Sequence, residues 1–146
     1  MRITISLAVA ALALDACSQP AQLYVDKGYV RLPAVKSNPG VAYFTLHGGD
    51  EDTRLLSVTA PSVIKTEMHE SMMKGSMAAM APVATVPVPA KAKLTFAPGG
   101  KHVMLFNINS SVKPGATMKL IFTFSNNLRI EYDAPVIAAG EPAPTG

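Results

Sequence analysis

Between Met118 and Asp133 the chain alternates apolar and polar residues in two consecutive runs, a pattern that only an extended strand can bury on one face. Met118, Leu120, Phe122 and Phe124 fall on one side, with Lys119 and Thr123 on the other. Leu128, Ile130 and Tyr132 then alternate with Arg129, Glu131 and Asp133. A helix would scatter the same residues around its circumference. Ser125-Asn126-Asn127 joins the two runs, and because Asn tolerates positive φ, they are expected to close as a tight hairpin.

The same signature recurs upstream. Pro39-Gly40, Pro98-Gly99-Gly100 and Pro114-Gly115 punctuate the chain as turns. Between them the expected strands are Gly28 to Pro33, Val41 to His47, Arg54 to Thr59, Val63 to His69, Met77 to Val83, Lys91 to Ala97 and His102 to Ile108. Thr117 to Ser125 and Leu128 to Ala134 complete the set of seven to nine, with no helix. Val86-Pro87-Val88-Pro89 cannot be a central strand, because proline lacks the ladder donor; it is expected at an edge or in a loop. Short strands at this spacing predict an all-β fold, a Greek-key sandwich or barrel.

The N-terminus reads as an export signal: Arg2 gives a positive start and Ile3 to Leu14 a short apolar run. Such a run is too short to cross a bilayer, which takes roughly 20 residues of helix. Leu14-Asp15-Ala16-Cys17 resembles a bacterial lipobox, with Asp15 where a small residue is usual, so Cys17 is the expected lipidation site. Residues 1–16 are then a signal peptide of lipoprotein type, 17–27 a polar tether, 28–135 the folded domain and 136–146 a disordered tail rich in Ala, Pro and Gly. The expected location is periplasmic or otherwise extracytoplasmic. Cys17 is the only cysteine, so no disulfide can staple the domain.

The residues that carry chemistry are histidines and methionines. Six of the eight methionines lie from Met68 to Met104. His102 and Met104 are two apart in an apolar run, so on a strand both project to one face, about 6.6 Å apart at Cα. His69 and Met80 are two further candidates. Ten residues separate His69 from Met80, and twenty-one separate Met80 from His102. This spacing resembles the motif of the PCuAC family of periplasmic copper chaperones. The surrounding text is similar too: Ala42-Tyr43-Phe44-Thr45-Leu46, Met68-His69-Glu70, Val86-Pro87-Val88-Pro89 and Pro98-Gly99-Gly100-Lys101-His102-Val103-Met104-Leu105. The resemblance spans about residues 28 to 134. It implies a cupredoxin-like β-sandwich, a Cu(I) site made of His69, Met80, His102 and Met104, and delivery toward the copper centre of a terminal cytochrome oxidase. The C-terminal Met- and His-rich extension common in that family is absent here, so a second, Cu(II) site is not expected.

Ligand chemistry points the same way. Thioethers are soft, neutral donors that suit Cu(I), whereas zinc favours thiolate, imidazole and carboxylate. A blue-copper electron carrier needs a cysteine thiolate, which Cys17 in the signal region cannot supply. Closing the loop of about 22 residues from Met80 to His102 costs about 2.7 kcal/mol from its length alone. A fold that closes it in advance leaves a largely preformed site, and the metal-free protein should stay folded. Since a ligating histidine must be deprotonated, affinity is expected to fall at low pH.

Other residues have plainer readings. Met68, Met118 and Met77 are expected as core filler, and His47 as an ordinary surface residue. Met72 and Met73 are additional thioethers outside the motif, Met73 resembling a methionine common in that loop of the family. His69-Glu70 does not open a metalloprotease helix, since Met73 stands where the second histidine would be needed. The formal charge of +3 is spread thinly, so no nucleic-acid footprint is expected. With no Ser, His and Asp constellation, paired carboxylates or phosphate loop, the chain is not expected to be an enzyme. The expected partner is a copper-accepting oxidase subunit or another copper-transfer protein, with membrane attachment through Cys17 and a monomeric state. Copper buffering by the same site, or a metal-free structural lipoprotein, are the alternatives.

Overall fold

Turns rich in proline and glycine divide the chain into short extended segments, and the clearest of these alternate between a face that is buried and one that is wetter. A computed structural model describes residues 19–146 and shows ten strands, with no helix among the described residues. They are β1 (Tyr24–Arg31), β2 (Gly40–His47), β3 (Thr53–Thr59), β4 (Val63–Lys74), β5 (Met77–Pro82), β6 (Val86–Val88), β7 (Lys93–Phe96), β8 (Lys101–Ile108), β9 (Thr117–Phe124) and β10 (Arg129–Ile137). The expected signal peptide, 1–16, and Cys17 lie outside the described residues.

The strands form two layers of a Greek-key, cupredoxin-like sandwich. One layer runs β5-β4-β8-β2-β1, with β7 also paired to β2; the other runs β10-β9-β3-β6. β10 joins them. It pairs antiparallel with β9 up to Pro135, then parallel with β1 through Val30 opposite Val136 and Arg31 opposite Ile137. Pro135, which has no donor for a ladder, marks the point where the strand changes neighbour.

The hairpin expected from the alternation is present. Ile130 lies opposite Phe122 and Tyr132 opposite Leu120. Met118, Leu120, Phe122 and Phe124 are buried, and Asn127 takes φ +64° in the turn. Phe44 of β2 connects the layers: its ring stacks on Phe96 at 4.3 Å and meets Phe122 of β9 edge-on at 4.7 Å. Burying each of these aromatic side chains contributes about 1.5–3 kcal/mol.

Several boundaries differ from the sequence reading. β1 begins at Tyr24, inside the expected tether, because Tyr24 and Val25 find partners in His47 and Leu46. β10 reaches Ile137, and Val136, expected in the disordered tail, is buried beside β1. Its Ala- and Pro-rich composition hides a strand whose backbone bonds come from the far end of the chain. β4 continues five residues beyond His69 to Lys74, since β5 pairs with it along that length. Val86-Pro87-Val88 forms β6, a strand beyond the nine expected, and lies at an edge, one of the two places its proline allows, pairing β3 on one side.

Candidate metal centre

Strand register brings the four candidate side chains to one face. β4 and β8 pair antiparallel with His69 opposite His102 and Glu67 opposite Met104. β5 lies along the other edge of β4 with Met80 opposite Ser71. Residues directly opposite project to the same side, as do alternate residues along a strand. Glu67, His69 and Ser71 therefore share a face with Met104, His102 and Met80. Their neighbours one residue along, Met68 and Val103, turn the other way and are buried in the core. A slip of one residue would exchange the two sets, so core packing fixes the register that assembles this face.

The position of His102 follows from the turn before it. β2 pairs with β7 along Phe44 to His47 and with β8 along Gly40 to Ala42. The chain leaves β7, turns through Pro98-Gly99-Gly100 with Gly99 at φ +82°, and enters β8 in the lane that β7 has vacated. The carbonyl of Gly100 accepts the Ser71 N–H at 3.1 Å and the His102 Nδ1–H at 2.9 Å. A carbonyl can only accept, so the neutral imidazole carries its proton on Nδ1 and keeps the lone pair of Nε2 for another use. Such an orienting bond is the usual outer partner of a metal-ligating histidine.

The two imidazole rings lie 6.0 Å apart at their centroids and are inclined by 20°. His69 Nδ1 is buried without a hydrogen-bond partner. A buried ring nitrogen left unpaired is costly unless something else engages it, and a metal ion is one such partner. Its Nε2 is 3.7 Å from Glu67 Oε2, too far for a hydrogen bond. Lys65 holds the Glu67 carboxylate at 2.6 Å and keeps its pKa below the usual carboxylate range, while Lys101 pairs with Glu70 at 3.0 Å. The neighbouring acids are thus already matched by lysines. Among the described residues no three His, Cys, Asp or Glu side chains gather to hold a metal. The donors this face offers are two imidazoles and two thioethers, a neutral set that suits a soft monovalent cation better than zinc.

Burial grades across the face. His102 is 5% exposed, the His69 side chain is mostly buried, Met104 is partly buried, and Met80 on the edge strand is 57% exposed. Met68 and Met118 are core residues as expected. Met77 is not: it is 72% exposed, because β5 is an edge strand with no layer packed over it. His47 is tied in more closely than a plain surface residue, donating from Nε2 to Asp26 at 3.0 Å and stacking on Tyr24 at 4.2 Å. The Gly100 carbonyl escaped the sequence reading, since a backbone acceptor leaves no side-chain signal. Glu67 could have been found from its alternation with His69.

The LpqE-like family model, whose description is of a lipoprotein, matches residues 23–136. Among curated proteins no sequence matches. Among solved structures the chain is similar to the copper-bound PCuAC domain of PmoF2, with 21% identity, a TM-score of 0.66 and coverage of 80% of this chain and 98% of that one. The apo PCuAC domain of PmoF1 is 24% identical with a TM-score of 0.65, covering 82% and 96%. The Cu(I) form of DR1885 from Deinococcus radiodurans is 25% identical with a TM-score of 0.65, covering 86% and 85%. The expected cupredoxin-like fold and the resemblance to PCuAC domains are both borne out.

Proposed function

Because the chain belongs to the LpqE-like family and has the fold of PCuAC domains, we propose that it binds one Cu(I) outside the cytoplasm through His69, Met80, His102 and Met104 and passes it to another protein. The observation that carries this reading is the common face of the four side chains in the paired register of β5, β4 and β8. The unpartnered Nδ1 of His69 adds to it, as do the copper and Cu(I) bound by the PmoF2 domain and DR1885. All four ligands are neutral, so the bound ion keeps a single positive charge and neither uptake nor release requires a thiolate to be reprotonated. Met80, the exposed ligand, sits on the edge strand, where an incoming donor from a partner can reach the bound ion. Handing over a metal is then a sequence of ligand exchanges without turnover of a substrate, and the chain acts as a metallochaperone rather than an enzyme.

The recipient we propose is a copper-accepting oxidase subunit or another copper-transfer protein, met by a monomer. The family's lipoprotein description supports export and a lipid on Cys17. No helix among the described residues is long and apolar enough to cross a membrane.

The test is an anaerobic Cu(I) titration of the fragment from Ser18 onward against a chromophoric chelator, beside a variant carrying His102→Ala and Met104→Ala. One tight equivalent in the parent, weakened at least about 100-fold in the variant, is expected. A folded parent fragment that takes up no copper would overturn the proposal.

A further inference from the structure

The β4–β5 hairpin carries more sulfur than the four-residue site uses. Met72 and Met73 lie on β4, and Met77 and Met80 on β5, all of them exposed. Large apolar side chains left in water on an edge hairpin call for an explanation. Register divides them into two pairs. Met73 lies opposite Ala78 and Met80 opposite Ser71, so these two are diagonal neighbours on the face that holds His69, His102 and Met104. Met72 lies opposite Ala79 and Met77 opposite Lys74, diagonal neighbours on the other face.

We propose that Met73 and Met80 form an outer two-thioether station for Cu(I), through which the ion enters and leaves the inner site; this rests on the copper-binding function proposed above. Met80 is central to it. It sits across from Ser71, and Ser71 lies between His69 and Met73 on β4, so Met80 is a diagonal neighbour of both. Diagonal positions are about 7–8 Å apart at Cα, within reach of the three-bond, polarizable methionine side chain. Ser71 is small and leaves the path between them open. Exposure falls from Met73 at 66% to Met80 at 57% and then to the buried ring of His102 at 5%, so the route leads from solvent inward.

Each step is a ligand exchange. Copper arriving on a solution chelate gains bonds to the Met73 and Met80 sulfurs and loses those to the chelate. It then gains imidazole nitrogen and Met104 sulfur while the Met73 bond breaks, with Met80 bound throughout. Copper stays Cu(I), and the thioethers neither take up nor release a proton. Met72 and Met77 face the other way and take no part.

Stopped-flow transfer of Cu(I) from its bis-bicinchoninate complex to the metal-free protein tests this in the parent, Met73→Leu and Met77→Leu. Both substitutions are at exposed positions and preserve side-chain bulk, so folding is retained. Met73→Leu is expected to slow uptake and release alike, by about tenfold, with the equilibrium affinity within about twofold of the parent. Met77→Leu should match the parent. Equal rates in all three proteins would overturn the station while leaving the inner site intact, and so would a Met73→Leu affinity loss of about tenfold or more, which would make Met73 a permanent ligand. No tight uptake by the parent would instead overturn the copper-binding reading itself. A second readout uses methyl-labelled methionine and Ag(I) as an air-stable substitute in a His69→Ala, His102→Ala variant. The Met73 and Met80 methyl resonances should shift together, with Met72 and Met77 unmoved; a shift of Met80 alone overturns the station.

Discussion

Glycines in this fold differ by what a side chain would meet. A Cβ on Gly100 would find nothing nearer than Ala97 O at 3.6 Å, an ordinary contact, so the carbonyl that orients His102 does not depend on the absence of a side chain there. A Cβ on Gly48 would lie 2.4 Å from the backbone oxygen of Pro89, in a segment where the Gly48 N–H donates to Ala92 O at 2.7 Å. Backbone cannot swing aside as a flexible side chain can. Gly48→Ala is therefore expected to destabilise by about 1–3 kcal/mol, read as a lower urea midpoint. Because the clash involves the β2–β3 connection rather than β4, β5 or β8, Cu(I) affinity in the chelator competition should remain within about twofold of the parent.

Strands in this molecule are of two kinds, and alternation reads one better than the other. β9 has one face in the core and a more open one, interrupted by the buried Ile121, so its period of two is strong and the inward Met118, Leu120, Phe122 and Phe124 are named correctly by the pattern alone. Phe122 is fully buried between the layers. Phe122→Ala should cost about 3–5 kcal/mol, measured by chemical denaturation, since the rigid surroundings cannot close over the missing ring. β5 is an edge strand whose residues are exposed or half-exposed on both sides, so its period says nothing about which methionine faces what. That is why Met77 read as core and is open to solvent. Pairing with β4, rather than hydropathy, gives β5 its orientation.

For the molecule as a whole, the core and the candidate metal face lie on opposite sides of the β5-β4-β8 portion of the sheet. Met68 and Val103 serve the core while His69 and His102 serve the other face, so folding draws its apolar burial from groups that a metal does not touch. The strands have closed the long connection from Met80 to His102 before any ion arrives. The metal-free protein is accordingly expected to keep its β-sheet far-ultraviolet circular dichroism in excess Cu(I) chelator; collapse of that signal would mean that the site is built by the metal. Binding to the folded state alone must then raise the unfolding temperature. At free Cu(I) near 1,000 times Kd the gain is about 4.1 kcal/mol, to be read from anaerobic thermal melts.

Alternation, proline position and turn residues were enough to determine strand character, the exclusion of Val86-Pro87-Val88 from the centre of a sheet and the inward face of β9, because each is set by local geometry and by hydrophobicity along the chain. The spacing of His69, Met80, His102 and Met104 proposed a donor set through its resemblance to the PCuAC motif, and the softness of thioethers argued for copper over zinc. Tertiary structure decided what those residues meet. The pairing of β4 with β8 and β5, the parallel contact of β1 with β10, the Gly100 carbonyl at His102 and the division of the hairpin methionines between two faces all depend on which strand lies alongside which. Sequence spacing reports a period along one strand; cross-strand register comes from packing and hydrogen bonds between segments far apart in the chain.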